Sequence, residues 1–311
     1  MKTILVTGSN GLLGQKLTEN ILSSKRHHLI ATAKGPNRFP VTGGYLYAEM
    51  DVLDPESIQS VLEKYRPDTV IHTAAMTNVD TCQSEPELAY QLNVESVKSL
   101  VRACEALNIK LIHLSTDFIF DGADGPYDET AIPNPLSYYG ETKLAAEEVV
   151  KQATCPWVII RTILVYGIVA DLSRSNIVLW ARNALEKGQP LNVVNDQWRM
   201  PTLAEDLAEA CLLAAEQQAQ GIYHVSGKDM MSVVELVRRV ADYWKLDASL
   251  ITEVSSASLN QSAARPVRTG FILDKVQKDL GYSPHSFEEG LAVFDQQLDL
   301  HQSTKNENKL T

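Results

Sequence analysis

A chain of 311 residues, 44% of them hydrophobic and 22% charged, can bury a large core in one or two domains and has the ordinary make-up of a soluble globular protein. Its net charge of −11 excludes a broad nucleic-acid-binding face, which needs concentrated Lys and Arg, but leaves room for one small basic pocket. The cysteines Cys82, Cys104, Cys155 and Cys211 show no CxxC spacing, which argues against structural zinc and suits a reducing compartment.

The chain passes from Met1-Lys2 into the apolar run Ile4-Leu5-Val6 and a glycine turn, with neither a signal peptide nor a spanning segment, so a cytoplasmic protein without membrane contact is expected. Leu12, Leu13, Leu17, Ile21 and Leu22 then recur at helical spacing. His28 to Ala33 reads as the second strand, Tyr45 to Ala48 as a weaker third, Pro55 to Tyr65 as a helix and Thr69 to Thr73 as the fourth strand. Pro86 to Leu107 reads as one long helix, Lys110 to Leu114 as the fifth strand, Ser137 to Gln152 as a helix capped by Ser137, and Trp157 to Ile160 as the sixth strand. Strands alternating with helices imply a parallel sheet covered on both faces.

After Gly167 the rhythm changes: a helix over Ser175 to Lys187, a strand over Leu191 to Val194, a helix over Ala204 to Gln217, a strand over Ile222 to Val225 and a helix over Ser232 to Trp244. The expected fold class is α/β: a Rossmann-like, doubly wound parallel sheet with a smaller, partly interleaved C-terminal α/β lobe. Residues 1–166, with about 195–222, are assigned to the dinucleotide-binding domain. About 167–194 and 223–300 are assigned to the substrate lobe, and 301–311 to a polar, disordered tail.

The turn Thr7-Gly8-Ser9-Asn10-Gly11-Leu12-Leu13-Gly14 has GxxGxxG spacing between the first strand and the first helix. Glycine lets backbone approach a pyrophosphate and permits positive φ, and the helix that follows offers open N–H groups to an anion. A tight turn without a ligand is the plainer alternative, and the position of this one favours a dinucleotide. The second strand ends Thr32-Ala33-Lys34-Gly35, with Arg38 close by and no carboxylate to meet the 2′-hydroxyl of NAD. Lys34 and Arg38 can instead pair with the 2′-phosphate of NADP, which favours NADP over NAD; a solvated basic loop is the alternative. Asp51-Val52, after the third strand, can border the adenine.

Tyr139 and Lys143 stand at i and i+4 on the helix that follows the fifth strand. A lysine ammonium and an oxidised nicotinamide both favour phenolate, so the tyrosine is expected to titrate below its usual range and exchange a proton with a carbonyl oxygen. Only this one of the 11 tyrosines has a lysine four residues on, a match whose weight comes from its place near the carboxyl edge of the sheet. The fifth strand ends Ser115-Thr116-Asp117, where a hydroxyl can polarise a substrate carbonyl or serve ordinary turn chemistry. Asn93, inside the long helix, is either an exposed helix residue or a brace for the site.

With these pieces placed, the chain resembles an extended short-chain dehydrogenase/reductase, and within that group the dTDP-4-dehydrorhamnose reductase branch. The likeness runs through "TGSNGLLG", "VIHTAAMTNVDTCQ", "LNVESV", "STDFIFDG", "GPYDETAIPNPLSYYGETKLAAEE", "IIRTILVYG", "NDQWRMPTLAEDLA" and "ARPVRTGFILDK". The resemblance implies catalytic Thr116, Tyr139 and Lys143, with Tyr139 as the acid. It implies cofactor contacts at Gly8, Asn10, Gly11, Leu12, Asp51, Val52, Ala74, Ala75, Met76 and Asn93. It places Thr77, Asp117, Phe118 and the Trp198-Arg199 region against a nucleotide sugar. Leu164 stands where the branch generally carries Trp, and Trp198-Arg199 where a smaller pair is usual, so a reshaped sugar pocket is expected, with Arg199 either on a substrate phosphate or at the surface. Some members use magnesium, for which no ligand spacing is visible, so no metal site is assigned. The resemblance also implies a homodimer. Two other functions share the scaffold: epimerisation or dehydration of a sugar nucleotide with internal hydride recycling, and a non-catalytic dinucleotide-binding subunit like the regulatory subunit of methionine adenosyltransferase.

Overall fold

Short runs of Val, Ile and Leu, broken by turns, set up the architecture seen in the computed structural model, which describes residues 1–170, 175–259 and 261–307. The first half of the chain runs β1 (Thr3–Thr7), α1 (Leu12–Ser24), β2 (His28–Ala33), β3 (Leu46–Glu49), α2 (Pro55–Tyr65), β4 (Thr69–His72), α3 (Val79–Ser84), α4 (Pro86–Tyr90), α5 (Ser96–Leu107), β5 (Lys110–Thr116), α6 (Tyr138–Lys151) and β6 (Trp157–Thr162). The second half runs β7 (Val165–Tyr166), α7 (Ile177–Glu186), β8 (Leu191–Val194), β9 (Trp198–Arg199), β10 (Thr202–Leu203), α8 (Ala204–Glu216), β11 (Gly221–Val225), β12 (Met231–Ser232), α9 (Val233–Trp244), β13 (Ile251–Val254), α10 (Asp274–Leu280) and α11 (Phe287–Glu307).

The main sheet has seven strands in the order β11-β6-β5-β4-β1-β2-β3, and every pair in it is parallel. Alternate residues of each strand feed opposite cores. Ile4, Val6, Ile71, Ile112 and Ile160 face Leu17, Ile21, Leu207 and Cys211 from α1 and α8. Leu5, Val70, Leu111 and Ile159 face Ile58, Leu62, Leu100, Cys104 and Val150 from α2, α5 and α6. Each such side chain contributes about 1.5–3 kcal/mol when fully buried. The order reverses between β1 and β4, and that switch opens a crevice at the carboxyl edge.

A third core, with Leu179, Leu185, Val193, Val237, Ile251, Leu291 and Phe294, sits in the C-terminal lobe. There β8 pairs with β13 in parallel and β9 with β12 antiparallel. The lobe boundary differs from the one read in the sequence. Gly221–Val225 pairs with β6 as an edge strand of the main sheet, so residues 223–225 lie with the sheet, and α10 packs on β11 and α8. Helix α11 runs on to Glu307, into the segment expected to be a polar tail, with Leu298 buried just before that segment. The rest of that expectation, residues 308–311, lies outside the described residues.

The expected long helix over Pro86 to Leu107 is divided. A π-helical turn at Gln91–Glu95 separates α4 from α5, and α3 precedes it as a helix that the apolar pattern did not reveal. At the far end of the sheet, the carboxyl end of α8 is held by two lysines. Lys2 Nζ donates to Ala215 O at 2.7 Å, and Lys110 Nζ to Ala214 O at 2.6 Å, which places cations at the negative helix end.

Candidate active site

The glycine turn lies at the sheet switch. Gly8 adopts φ +64°, and a Cβ there would sit 2.9 Å from Ala74 N. A Cβ on Gly14 would sit 2.5 Å from both Gly8 O and Ser9 Cα. Gly11 differs: its added Cβ would meet only Gly8 O, at 3.2 Å, so the protein itself nearly tolerates a methyl group at that position. Helix α1 starts without a side-chain cap on its first N–H groups, which leaves donors for an anion. An open cradle beside uncapped amides fits a dinucleotide pyrophosphate. Gly11→Ala is therefore expected to cost no more than about 1 kcal/mol of stability yet lower dinucleotide affinity, whereas Gly14→Ala lowers both. Thermal unfolding and fluorescence titration with NADPH separate the two.

Asn10 pins the loop after β2, accepting from Arg38 N at 2.8 Å and donating to Pro36 O at 3.0 Å. Lys34 and Asp51, given separate cofactor roles in the sequence, pair with each other at 2.9 Å, and the Lys34 hydrogen bond is the main cause holding the Asp51 carboxyl below its usual range. Arg38 is exposed and makes no ion pair among the described residues. Val52 is half-buried beside Asp51.

After β4 the chain runs through half-buried Ala74, Ala75 and Met76 to exposed Thr77. Asn93, on the π-helical turn, is fully buried. Its Oδ1 accepts from Met76 N at 2.9 Å, and its Nδ2 donates to Met76 O at 3.0 Å and to Thr142 Oγ1 at 3.1 Å. Of the two readings of Asn93, the brace is the one observed; a π turn is a common device for turning a helical side chain toward a site.

Ser137 caps α6, accepting from Gly140 N at 3.3 Å. One turn of that helix brings Tyr139 and Lys143 together, 8% and 4% exposed. Gly140 leaves no room for a Cβ against Phe118 O, which lets α6 press on the turn after β5. There the Phe118 ring meets Tyr139 edge-on at 5.7 Å. Burial pushes the Tyr139 phenol up in pKa; the Thr116 hydroxyl works against it, while Asp117 and Cys82 add to it. The lowering expected from Lys143 is not seen in the protein alone, where desolvation outweighs the polar neighbours of Tyr139. Burial pulls Lys143 down to about 8, with Glu147 and then Cys82 opposing.

Two residues expected against the sugar turn inward instead. Asp117 is 2% exposed; its carboxylate accepts from Thr269 Oγ1 at 2.5 Å and from Thr116 Oγ1 at 3.1 Å, and burial raises its pKa. Arg199 is 4% exposed, neither at the surface nor free for a phosphate. It donates to Trp198 O at 2.7 Å and Pro266 O at 2.8 Å, and its Nε lies 3.9 Å from Asp117. Trp198 remains on the rim, 36% exposed. Leu164 packs against both the sheet core and the lobe core at φ +40°, a strained backbone for a branched side chain, costing about 1–2 kcal/mol. Thr202 holds it, donating from N to Leu164 O at 3.3 Å and from Oγ1 to Ile163 O at 2.6 Å.

The sequence reading missed His72, His113, Glu147 and Arg161, all buried behind the Tyr139–Lys143 face. For His72, His113 and Arg161 the available signal was a polar residue inside an otherwise apolar strand; Glu147 lies on α6, where a carboxylate gives no such signal. Among the described residues no group of three or more His, Cys, Asp or Glu is placed to hold a metal ion, and no helix is long and apolar enough to cross a membrane.

Comparison with known proteins identifies the family. The family model described as the RmlD substrate binding domain matches residues 1–299. A probable low-salt glycan biosynthesis reductase of Haloferax volcanii is 31% identical over 93% of this chain and 96% of its own length. The Xenopus laevis methionine adenosyltransferase 2 subunit beta is 30% identical over 88% of this chain and 81% of its own. The crystal structure of a Bacillus anthracis dTDP-4-dehydrorhamnose reductase in complex with NADP superposes with a TM-score of 0.82 at 27% identity, covering 95% of this chain and 99% of that one. The chain therefore belongs to the RmlD substrate-binding domain family and is an NAD(P)-dependent oxidoreductase of the extended short-chain dehydrogenase/reductase type.

Proposed function

We propose that the protein reduces the C4 ketone of a nucleotide-linked 4-keto-6-deoxy sugar with NADPH. The observation that carries this reading is the approach of Thr116, at the carboxyl end of β5, to the Tyr139 phenol, with Lys143 one helical turn on from Tyr139 along α6. Gly8, Asn10, Gly11, Leu12 and Gly14 would hold the pyrophosphate, and Asp51 and Val52 the adenine. Ala74, Ala75 and Met76 would line the cofactor, with Asn93 behind them. Arg38 would take the 2′-phosphate, with Lys34 shared between it and Asp51. Lys143 would bind the nicotinamide ribose hydroxyls. When bound, reduced nicotinamide supplies the hydride.

The protein's own groups handle the oxygen and its proton. Tyr139, held protonated by burial, donates its proton to the substrate oxygen as charge develops there, and the Thr116 hydroxyl steadies the same oxygen. Thr77, Phe118, Leu164 and Trp198 would shape the sugar pocket between the sheet domain and the lobe. The name of the Bacillus reductase supports this substrate class, and that of the Haloferax protein supports a reduction in glycan biosynthesis. The resemblance further suggests a cytoplasmic homodimer.

The test is loss of reduced-nicotinamide absorbance when purified protein meets dTDP-4-keto-6-deoxy-L-mannose and NADPH or NADH. Rapid oxidation of NADPH supports the reading; binding of the dinucleotide without oxidation overturns it for this substrate. Arg38→Ala is expected to weaken NADPH binding by about tenfold and leave NADH binding unchanged, checked by parallel titrations. The similarity to a methionine adenosyltransferase subunit favours a second reading, a regulatory partner that binds dinucleotide without turnover. Stable co-purification with a methionine adenosyltransferase catalytic subunit, together with absent turnover, would favour it.

A further inference from the structure

Two histidines behind Lys143 have no part in the proposed chemistry. His72 and His113 are register partners on β4 and β5, 2% and 1% exposed, with their rings stacked 5.6 Å apart at 21°. Counting hydrogens fixes both tautomers. Thr7 Oγ1 accepts from Thr73 N at 3.2 Å and Ala74 N at 3.3 Å. Its own proton therefore goes to His72 Nδ1, at 2.8 Å, and His72 carries its ring proton on Nε2. A charged lysine has donors and no acceptor, so at 3.3 Å His113 Nε2 accepts from Lys143 Nζ and the His113 proton sits on Nδ1. The two remaining N–H groups, His72 Nε2 and His113 Nδ1, are buried without a partner among the described residues.

Both rings are held neutral. Burial, then Lys143, pulls His72 down to about 3, and burial, Lys143 and His72 pull His113 well below its usual value. The other titratable groups that act on Lys143 are Glu147 from α6 and Cys82 from α3, and Tyr139 lies one helical turn away on α6. Glu147 favours the ammonium from one turn further along the helix, but both its oxygens are engaged by Arg161 and one of them also by Ser115. Among the described residues the direct polar contact on the Lys143 amine is His113.

We propose that His113 is a positioning residue for Lys143: its bare Nε2 anchors the ammonium one helical turn from Tyr139, and its neutral ring supports that charge inside the sheet–helix interface. The chain of contacts runs from the glycine turn through Thr7, His72 and His113 to Lys143, so the phosphate-binding turn and the lysine share one buried support. This inference rests on the reading that Lys143 binds the dinucleotide ribose.

The experiment is NADPH affinity, measured by fluorescence as a function of pH, for wild type, His113→Phe and His113→Gln. Wild-type affinity is expected to fall as pH rises through about 8, where Lys143 loses its proton. His113→Phe keeps a ring against His72 but removes the acceptor, and its fall is expected about one pH unit lower. His113→Gln places an oxygen near the position of Nε2 and is expected to follow wild type. A His113→Phe profile that superposes on wild type overturns the proposal, and so does a His113→Gln profile shifted as far as that of His113→Phe. Wild type that binds neither dinucleotide at any pH overturns the reading of the site and this proposal with it. Should the variants not fold, long-range ¹H–¹⁵N NMR of wild-type imidazoles decides: a His113 proton on Nδ1 is expected, and one on Nε2 overturns the anchor.

Discussion

Tyr139→Phe is expected to lower kcat by about 10²–10⁴-fold and to leave the NADPH dissociation constant within about threefold. The substitution removes one hydroxyl from a ring that is 8% exposed and keeps its edge contact with Phe118 at 5.7 Å, so the fold of the site is retained. What is lost is the proton donor. Burial keeps that phenol protonated, so its ionisation does not limit the wild-type rate near neutrality. The limit comes from the alkaline side: Lys143, drawn down to about 8, is charged below that value and neutral above it. If its ammonium holds the ribose, wild-type kcat/KM is expected to be flat below about pH 7 and to fall above about pH 8. Steady-state kinetics over pH 6–10 check both statements. Turnover by the phenylalanine variant at the wild-type rate would show that Tyr139 is not the acid.

Much of the frame was legible because buried parallel strands advertise themselves. His28–Ala33 and Pro55–Tyr65 have the same ends in sequence and structure, since an apolar run between turns and a proline at a helix start are local signals. The glycine turn was legible because its glycine spacing is a local signal, although Gly8 closes on Ala74 and Asn10 binds Pro36 and Arg38 across the fold. The pairings that assign side chains to roles were not legible. Lys34 meets Asp51 through the β2–β3 register, and neither segment alone predicts the pair. Arg199 looks like a free cation in sequence, yet the backbone carbonyls that bind it belong largely to a loop some seventy residues later. Asp117 is similarly taken by Thr269. The π turn that frees Asn93 leaves no periodicity signal, because one extra residue in a turn is lost within the helical pattern. The strained backbone of Leu164 is invisible for a further reason: leucine carries no preference for φ +40°, and the contact that holds it there comes from Thr202.

Glu147→Leu is expected to cost about 3–5 kcal/mol of stability, because it leaves the Arg161 guanidinium buried without its counter-charge. Glu147 and Arg161 are 0% and 1% exposed. Arg161 donates from Nε to Oε1 at 2.9 Å and from Nη2 to Oε2 at 2.7 Å, and Ser115 Oγ donates to Oε1 at 2.6 Å. The remaining Arg161 contacts are His224 Nε2 at 3.2 Å and the Phe120 ring face at 5.4 Å, too little to replace a carboxylate. Denaturant unfolding would measure the loss. The double variant Glu147→Leu with Arg161→Met is expected to recover most of it, since a buried ion pair replaced whole by apolar side chains is often close to neutral. Activity is expected to behave differently. Glu147 joins α6, which carries Tyr139 and Lys143, to Ser115, the neighbour of Thr116 on β5. Removing that joint frees the helix to shift against the strand, and restored packing does not restore the joint. A double variant with recovered stability, kcat still reduced by tenfold or more and an alkaline limit no lower than that of wild type would place the value of this pair in the alignment of Thr116 with Tyr139; a lowered alkaline limit would trace the loss to Lys143, whose charge Glu147 favours, and full recovery of stability and kcat would leave the pair a stability element alone.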